Sequence, residues 1–457
     1  MAVPDVLVVG GGFAGSEAAW QLAKRNLRVR LFEMRPFVQT PAHSTAQFAE
    51  VVCSNSFGGE GEESAAGILK AELALAQSLI LECAQVSRVP AGGALAVDRD
   101  RFAELVSAHV ESHPHIEVVR EEVTDLGALL YMRRPVILAT GPLTSSALAK
   151  NLQSLIGEDY LSFFDAVAPI VTRESIDMEK AWIAGRYGRG HDYINCPMNR
   201  EEYLAFYDTL TASRRVMPHD FEKGTYFEGC MPVEEMASRG LDTLRFGPLK
   251  PVGLPDPKTG REPWAVVQLR QDNREGTLFN LVGFQTGLKW GDQSRLIKMI
   301  PGLENADIVR FGVMHRNIYV DAPAVLDEHL RLKTEKVNGQ ETENGKETAP
   351  IFLAGQITGV EGYMESTAMG AVAGINAACL QRKAPLPRWP GQTAVGSLLH
   401  CLQNSEAKPF QPMNTNLGIF PPLPERIKDK KKKARMMYDR ALAAARSFWS
   451  DLEAQGV

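Results

Sequence analysis

The first 35 residues combine a short apolar run, a glycine cluster and an amphipathic stretch. Residues 6–9 (VLVV) are uniformly apolar, as in a buried strand, and GGGFAG follows directly. Residues 16–24 are amphipathic with helical spacing, and VRLFE, which ends at Glu33, has the pattern of a second strand. The pattern therefore predicts a strand, a glycine turn, a helix and a second strand.

Patterns farther along divide the chain into three regions. FAELVSAHVESH predicts a helix, IEVVREEV a strand, and RPVILATGP a buried strand running into a glycine turn. From about Asp165, aromatics, prolines and charges become frequent, and the alternation in WAVVQLR and LFNLVGF predicts an antiparallel sheet. The polar stretch 333–348 predicts an exposed loop, and APIFLAGQITGVEGYMES after it predicts a strand, a glycine turn and a helix.

These regions indicate an α/β fold with one domain split in sequence. We expect a Rossmann-type domain built from residues 1–164 and 316–457, with an inserted α+β domain at 165–315. A basic helix, IKDKKKKARMMYDRALAAARSFW, is predicted near the C-terminus.

Composition narrows the class of protein. The 457 residues suffice for two or three domains, and the net charge of −5 means that any nucleic-acid contact must use a local patch. No targeting segment is visible, and no run reaches the roughly 18 uncharged apolar residues of a membrane span. Six scattered cysteines without a CxxC pair argue against a disulfide framework or a zinc site. We expect a cytoplasmic protein that contacts no membrane, and nothing in the sequence implies an obligatory protein partner.

The glycine cluster fits a dinucleotide-binding motif. Gly10, Gly12 and Gly15 match GxGxxG, in which the glycines allow a tight turn, a close approach to a pyrophosphate, and close packing of helix on strand. The following helix would direct its free N–H groups at the phosphates. Glu33 lies 18 residues beyond Gly15, where a carboxylate can accept hydrogen bonds from ribose hydroxyls.

Two later segments favour FAD over NAD as the bound dinucleotide. ATGP (139–142) ends a strand, as in split FAD-binding domains, and GQITGVEGYMES supplies a further glycine turn and helix N-terminus. No second GxGxxG is present, so we expect a nicotinamide donor, NADPH or NADH, to bind transiently. The residues predicted to bind the cofactor lie in these turns and at the end of the second strand: Gly10, Gly11, Gly12, Phe13, Ala14, Gly15, Glu33, Gly141, Gly355, Gly359, Gly362 and Tyr363.

Longer motifs extend over nearly the whole chain. VVCSNSF, VPAGGALAVDRDRF, FEGCMP, FGPLKPVGL, FNLVGFQTGLKWGDQ, GVEGYMESTAMG and MNTNLGIFPPLP occur in this order. Together they closely resemble the folate- and FAD-dependent tRNA (uracil-5-)-methyltransferase family. The resemblance implies methylation of the T-loop uridine of tRNA, with methylenetetrahydrofolate giving the carbon and reduced flavin the electrons. One segment departs from our expectation for the family, because GGEGEES after CSNSF is unusually acidic.

This chemistry requires a reactive cysteine. Uracil C5 is a poor nucleophile, and addition of a thiolate at C6 gives an enolate-like species that attacks an electrophilic carbon through C5. The methylene carbon then needs two electrons, which a flavin recharged by nicotinamide supplies. Cys53 in CSNS and Cys230 in GCMP lie in polar, turn-like contexts, where nearby donors can favour the thiolate. The sequence leaves open which of them attacks C6 and which takes the C5 proton.

Four further residues are candidates for the site. Tyr363 is predicted to stack on the flavin or the folate pterin, the alternative being a core tyrosine. Lys289, in GLKWGD, can hold a phosphate or the folate glutamate, the alternative being a solvated lysine. His315 and Arg316, in VMHRN, can reach the site from the domain junction or form a structural pair.

The lysine run KDKKKKAR is a candidate tRNA-binding face. Lys430 and Lys431 within it are predicted to contact phosphates, although most lysine runs are merely solvated. His109 and His113 have the i,i+4 spacing of metal ligands, but no third ligand is evident, so no metal site is predicted.

Two other functions compete with the methyltransferase. A flavoprotein that modifies wobble uridines shares the flavin domain, but it normally works with a GTPase partner and has a large extra C-terminal region. A small-molecule FAD oxidoreductase would have no use for two turn cysteines or a lysine-rich helix.

Overall fold

The computed structural model describes residues 3–157, 159–216, 226, 231–333 and 349–457. The described residues form strands of two to seven residues, which belong to four sheets. The strands are β1 (Val6–Val9), β2 (Val29–Phe32), β3 (Ser56–Gly59), β4 (Arg88–Val89), β5 (Ala94–Val97), β6 (Ile116–Val119), β7 (Val136–Leu138), β8 (Leu161–Ala166), β9 (Ile170–Thr172), β10 (Trp182–Ile183), β11 (Tyr193–Met198), β12 (Ala265–Gln271), β13 (Leu278–Leu281), β14 (Ile308–Arg310), β15 (Met314–Tyr319) and β16 (Ile351–Leu353).

The α-helices of the described residues range from one turn to 25 residues. They are α1 (Phe13–Ala23), α2 (Ala65–Leu75), α3 (Leu79–Val86), α4 (Arg99–Ser112), α5 (Leu126–Tyr131), α6 (Ser146–Ile156), α7 (Arg200–Ala212), α8 (Val233–Ser238), α9 (Thr243–Phe246), α10 (Trp290–Ile297), α11 (Ala322–Val325), α12 (Tyr363–Gln381), α13 (Ala394–Asn404) and α14 (Lys430–Ala454). None of them is long and apolar enough to cross a membrane.

A five-stranded parallel sheet positions the dinucleotide motif. Its strand order is β16-β7-β1-β2-β6, and each neighbouring pair is parallel. β1, β7 and β16 are buried along their whole length, as expected for strands covered on both faces. β16 follows the segment 334–348, which lies outside the described residues, and pairs with β7. The α/β, Rossmann-type fold class is therefore confirmed.

Helix α1 differs from its prediction. It begins at Phe13, three residues early, and it is almost entirely buried instead of amphipathic. The cause is α12, a helix rich in small residues that packs directly on α1. A Cβ atom on Gly370 would lie 2.2 Å from the carbonyl oxygen of Ala14. The two backbones therefore approach as closely as glycine allows.

The middle of the chain forms the predicted antiparallel sheet. It has six strands in the order β10-β11-β12-β13-β9-β14, and β12 and β13 contain the alternating segments. A separate ladder of β8 with β15 connects this region to the parallel sheet, and in it Asp165 pairs with His315. The two positions at which the sequence changes character are therefore direct neighbours in the fold.

The N-terminus of the C-terminal helix is fixed by a capping residue. Asp429 accepts hydrogen bonds from the backbone N–H groups of Lys431 and Lys432, so α14 starts at Lys430. The helix packs against α2, and its lysines at 430–433 are exposed.

Candidate functional site

A cavity of about 530 Å³ opens at the carboxyl ends of β1, β7 and β16. The glycine turns that follow these strands line it together, through residues 10–14, 139–145 and 354–356. The carboxyl ends of parallel strands are the usual ligand site of such sheets. The structure thus brings the three predicted glycine turns to one place.

The glycines of the first turn have different roles. Gly10 has φ +99°, and a Cβ atom there would lie 2.5 Å from the carbonyl oxygen of Ala139. A Cβ atom on Gly15 would lie 1.8 Å from the carbonyl oxygen of Gly10, which fixes the close helix–strand packing. A Cβ atom on Gly12 would meet nothing within 4 Å, because Gly12 faces the cavity. Gly12 therefore leaves room for a ligand, whereas Gly10 and Gly15 are required because a side chain at either position would clash with the backbone.

Glu33 closes the far side of this turn. Its carboxylate accepts hydrogen bonds from the Gly11 N–H at 2.8 Å and from Arg35 Nε at 2.9 Å. Burial alone would raise the pKa of Glu33, but these bonds and the Arg35 charge more than offset it, so the pKa is lowered. Glu33 is therefore an ionised acceptor on the cavity wall.

These features fit a bound dinucleotide such as FAD. Gly12 caps α1 without a side-chain hydrogen bond, so the helix N-terminus is directed at the cavity. Among the predicted cofactor residues, Gly141, Gly355 and Gly362 also line the cavity. Gly359 does not line it, because it packs against the ring of Phe410.

Cys53 and Tyr363 meet in the same cavity. Cys53 Sγ lies 2.8 Å from the Tyr363 hydroxyl oxygen, and the Cys53 backbone N–H donates to that oxygen at 3.0 Å. The Tyr363 ring stacks on Phe13 with centroids 4.5 Å apart. Tyr363 is thus tied to the cysteine through its hydroxyl and to the dinucleotide turn through its ring.

The surroundings of the Cys53 thiol favour its neutral form. Burial, followed by the nearby Asp165 charge, raises its pKa to about 12, against a weaker opposing effect of the Tyr363 hydrogen bond. The expectation that neighbouring polar residues favour the thiolate is therefore wrong. Burial of the thiol outweighs its polar neighbours, and the Asn55 amide is already engaged because it donates to the carbonyls of Val97 and Gln271.

Three arginines hold the chain around Cys53. Arg99 donates to the carbonyl of Cys53 at 2.6 Å and pairs with Asp272 at 2.9 Å. Arg310 donates to the carbonyl of Val52 at 2.9 Å. Arg270 donates to the Ser54 hydroxyl at 2.7 Å. Sequence reasoning missed these arginines, although Arg99 lies two residues after a mostly buried strand, in the motif VDRDRF.

Acidic groups and a histidine complete the wall opposite the dinucleotide turn. His315 lines the cavity, and burial together with the Arg310 charge lowers its pKa, which favours the neutral ring. Glu361 is buried, and burial together with the charge of Asp165 raises its pKa well above the usual range. The sequence analysis named neither Asp165 nor Glu361 as a site residue. The only sequence signals were that Asp165 lies near the end of a strand and that Glu361 lies in a glycine turn.

The other predicted substrate residues lie elsewhere. Arg316 is exposed, because it points away from His315 on the same strand. Lys289 is exposed at the start of α10, beside a stacked pair formed by Trp290 and Phe311. Lys430 and Lys431, on α14, are also away from the cavity wall.

Two further expectations concern cysteines and the acidic segment. Cys230 lies outside the described residues. The segment GGEGEES finds cationic partners within the chain, since Glu60 pairs with Arg88 at 2.5 Å and Glu62 pairs with Arg435 of α14. The departure from the expected pattern therefore ties this segment to the C-terminal helix.

Solved structures share this architecture. The chain superimposes on GidA of Aquifex aeolicus, in its form II crystal, with a TM-score of 0.69. The match covers 98% of this chain and 73% of GidA at 16% sequence identity, so it establishes the fold alone.

Relatives found by sequence are much more similar to this chain in sequence than GidA is. The family model of glucose inhibited division protein A matches residues 5–385. The methylenetetrahydrofolate--tRNA-(uracil-5-)-methyltransferase TrmFO of Anoxybacillus flavithermus is 54% identical over 98% of this chain and 100% of its own length. The enzyme of the same name from Moorella thermoacetica is 54% identical over 96% of each chain. The chain belongs to the glucose inhibited division protein A family and, with these relatives, to the methylenetetrahydrofolate--tRNA-(uracil-5-)-methyltransferases.

Proposed function

We propose that this chain methylates C5 of the T-loop uridine of tRNA, taking the carbon from methylenetetrahydrofolate and the electrons from reduced FAD. The observation that carries the proposal is one cavity of about 530 Å³ lined by both the dinucleotide turn and the Cys53 thiol. A small-molecule oxidoreductase does not need a cysteine at this position. The names of the 54% identical relatives support the same reaction.

FAD fits the residues that line the cavity. The turn at 10–14 and the N-terminus of α1 would hold the pyrophosphate, and Glu33 would accept hydrogen bonds from the ribose. Gly141, Gly355 and Gly362 would face the rest of the cofactor. The bound flavin supplies the two electrons that turn a methylene carbon into a methyl group, and transient NADPH or NADH restores them.

The two cysteines divide the remaining chemistry. We assign attack at uracil C6 to Cys230 and removal of the C5 proton to Cys53. The raised pKa argues against Cys53 as the nucleophile, because a thiol with a pKa of about 12 is a poor nucleophile at neutral pH. To act as the base, Cys53 must likewise first lose its proton. Tyr363 holds the Cys53 sulfur in position through its hydroxyl.

The tRNA would be bound by surface residues outside the cavity as well as by the cavity itself. Exposed lysines at 430–433 give α14 a face of like charge that suits phosphates. Lys289 and Arg316 are exposed and suit the same role. The division into 1–164, 165–315 and 316–457 and the location in the cytoplasm stay predictions.

Label transfer tests the function. Purified protein is loaded with FAD and mixed with labelled methylenetetrahydrofolate, NADPH or NADH, and unmodified tRNA. We expect 5-methyluridine at the T-loop position, identified by mass spectrometry of the digested tRNA, and no product when folate is omitted. Product at the wobble position, or none with FAD-loaded protein, would contradict the proposal.

A further inference from the structure

A second cavity of about 290 Å³ lies on the other side of Cys53. It shares three wall residues with the larger cavity: Cys53, Ser54 and Gln285. A volume near 300 Å³ is at the lower end for ligand sites and suits a single nucleoside. The two cavities therefore meet at Cys53.

The walls of the second cavity differ from each other. One side is apolar, with Met231, Met236 and Pro248 among its members. Such side chains can cover the faces of an aromatic ring. The other side contains Arg270 and Asn280. The cavity therefore suits a planar ring that is apolar on its faces and polar at its edge.

The groups on the polar side are mostly engaged with each other. Arg270 donates through Nε to Asn55 at 2.9 Å and through Nη2 to Ser54 at 2.7 Å. Asn280 donates to Asn55 and to Asp272, each at 3.0 Å. These bonds hold the polar side of the cavity rigid. The acceptors of Arg270 named above, Asn55 and Ser54, are neutral, so these bonds do not neutralise its buried charge. A positive charge of this kind stabilises negative charge that develops nearby.

Gln285 is the exception. Its backbone carbonyl accepts from the Val233 N–H at 2.7 Å, but its side-chain amide has no hydrogen-bond partner among the residues that the structure describes. A half-buried amide on a cavity wall retains one donor and one acceptor for a ligand. That pair complements the O4 and N3–H atoms of uracil.

We propose that the second cavity receives the target uracil and that Gln285 contacts its O4 and N3–H. The inference rests on the proposed function and adds the base site to it. Addition of a thiolate at C6 forms the S–C6 bond and moves the electron pair of the C5–C6 double bond toward O4. The Gln285 N–H would donate to that oxygen, and the charge of Arg270, which lines the same cavity, would stabilise it. C5 is next to C4, so this orientation brings C5 toward the wall that Cys53 shares with the cofactor cavity.

The test compares two substrates and two variants. tRNA carrying uridine or 3-methyluridine at the target position is given to FAD-loaded wild type, Gln285→Ala and Val282→Ala. Val282 lines the same cavity three residues before Gln285 and has no polar side-chain group, so it is the matched control. FAD content and the rate of NADPH oxidation report on folding in each variant, and Gln285→Leu replaces Gln285→Ala if the latter loses FAD.

We expect wild type to prefer uridine over 3-methyluridine by roughly 10- to 100-fold in kcat/KM, since the methyl group removes the N3–H donor. Gln285→Ala should lose most of that preference, with a fall in kcat on uridine because the O4 charge develops only after addition. Val282→Ala should change both substrates by the same factor. An undiminished preference in Gln285→Ala would overturn the inference while the function stands. Absence of 5-methyluridine with wild type would overturn the proposed function, and this inference with it.

Discussion

Gly12 offers the sharpest test of the cofactor site, because its neighbours in the same turn provide controls. Gly12 has φ −75° and ψ −166°, a conformation that any residue adopts. A Cβ atom there would meet no atom of the protein within 4 Å. Gly12→Val should therefore fold normally and fill only the space that the pyrophosphate needs.

The size of the effect follows from the contacts that would be lost. Hydrogen bonds to a charged group contribute about 1.5–3 kcal/mol each. Losing one or two of them should weaken FAD binding by roughly 10- to 10,000-fold. The apoprotein should lose no stability, and a small gain of about 0.5 kcal/mol is expected from the stiffer unfolded chain.

Gly15→Ala is the contrasting variant. Its Cβ atom would lie 1.8 Å from the carbonyl oxygen of Gly10, far inside van der Waals contact, so the backbone must move. Forced overpacking of this kind costs about 1–3 kcal/mol or more. We expect Gly15→Ala to lower the urea midpoint of the apoprotein, which Gly12→Val should not do.

The assay measures flavin absorbance per protein after purification, FAD affinity by titration of the apoprotein, and the urea midpoint of the apoprotein. The expected pattern is a folded, colourless Gly12→Val and a destabilised Gly15→Ala. A Gly12→Val protein that retains stoichiometric FAD would refute the assignment of this turn, and equal destabilisation of both apoproteins would refute the division of roles.

Three other predictions concern the tRNA face, the cysteines and a buried carboxyl. Neutralising the lysines at 430–433 should weaken tRNA binding and flatten its salt dependence by about one log–log unit per lost contact, with FAD content unchanged, whereas an unchanged slope would mean a merely solvated run. Cys53→Ala and Cys230→Ala should each abolish methyl transfer. With 5-fluorouridine in the tRNA, only the protein that retains Cys230 should form the adduct by mass spectrometry, and an adduct at neither cysteine counts against the mechanism. Burial raises the pKa of Glu72 to about 8 despite hydrogen bonds from two backbone N–H groups, so the folded state keeps a proton that the unfolded chain releases above its ordinary value of 4.5. Stability should therefore fall as pH rises from 4.5 to 8, by up to about 1.4 kcal/mol per pH unit, and Glu72→Gln should remove this slope in urea titrations; a slope that persists in the variant would disprove the cause.

The parts of the fold with strong local patterns could be predicted from the sequence. The strand, glycine turn and helix at the N-terminus occur as expected, because a uniformly buried strand and a GxGxxG turn leave few alternatives. The amphipathic interpretation of α1 failed because its outer face is covered by α12, more than 340 positions later in the chain. Burial by a distant element leaves no periodic trace in the buried segment itself.

The candidate site was predictable only where a single motif supplies it. Gly12 and Tyr363 lie in recognisable glycine turns, and both line the cavity. Arg270 and Gln285 lie in strands and turns of the middle region, and their positions next to Cys53 depend on how that region packs on the first strands. Arg316 shows the converse error, since alternation along β15 sends its side chain away from the site that His315 reaches.

The surroundings of Cys53 make the site depend on contact between distant parts of the chain. Arg99 comes before the antiparallel sheet in the chain, and Asp272 directly follows β12 of that sheet. Arg99 pairs with Asp272 and donates to the carbonyl of Cys53. Tyr363 comes from the helix after the sheet and supplies the hydrogen bond to the sulfur. The same burial that assembles these groups raises the pKa of the thiol, and a neutral thiol resists oxidation better than a thiolate. If Cys53 takes the C5 proton as proposed, it must first lose its own proton, and a substrate bound in the proposed base site would have to favour that loss. Under this proposal, binding of uracil and activation of Cys53 would be coupled through the wall that the two cavities share.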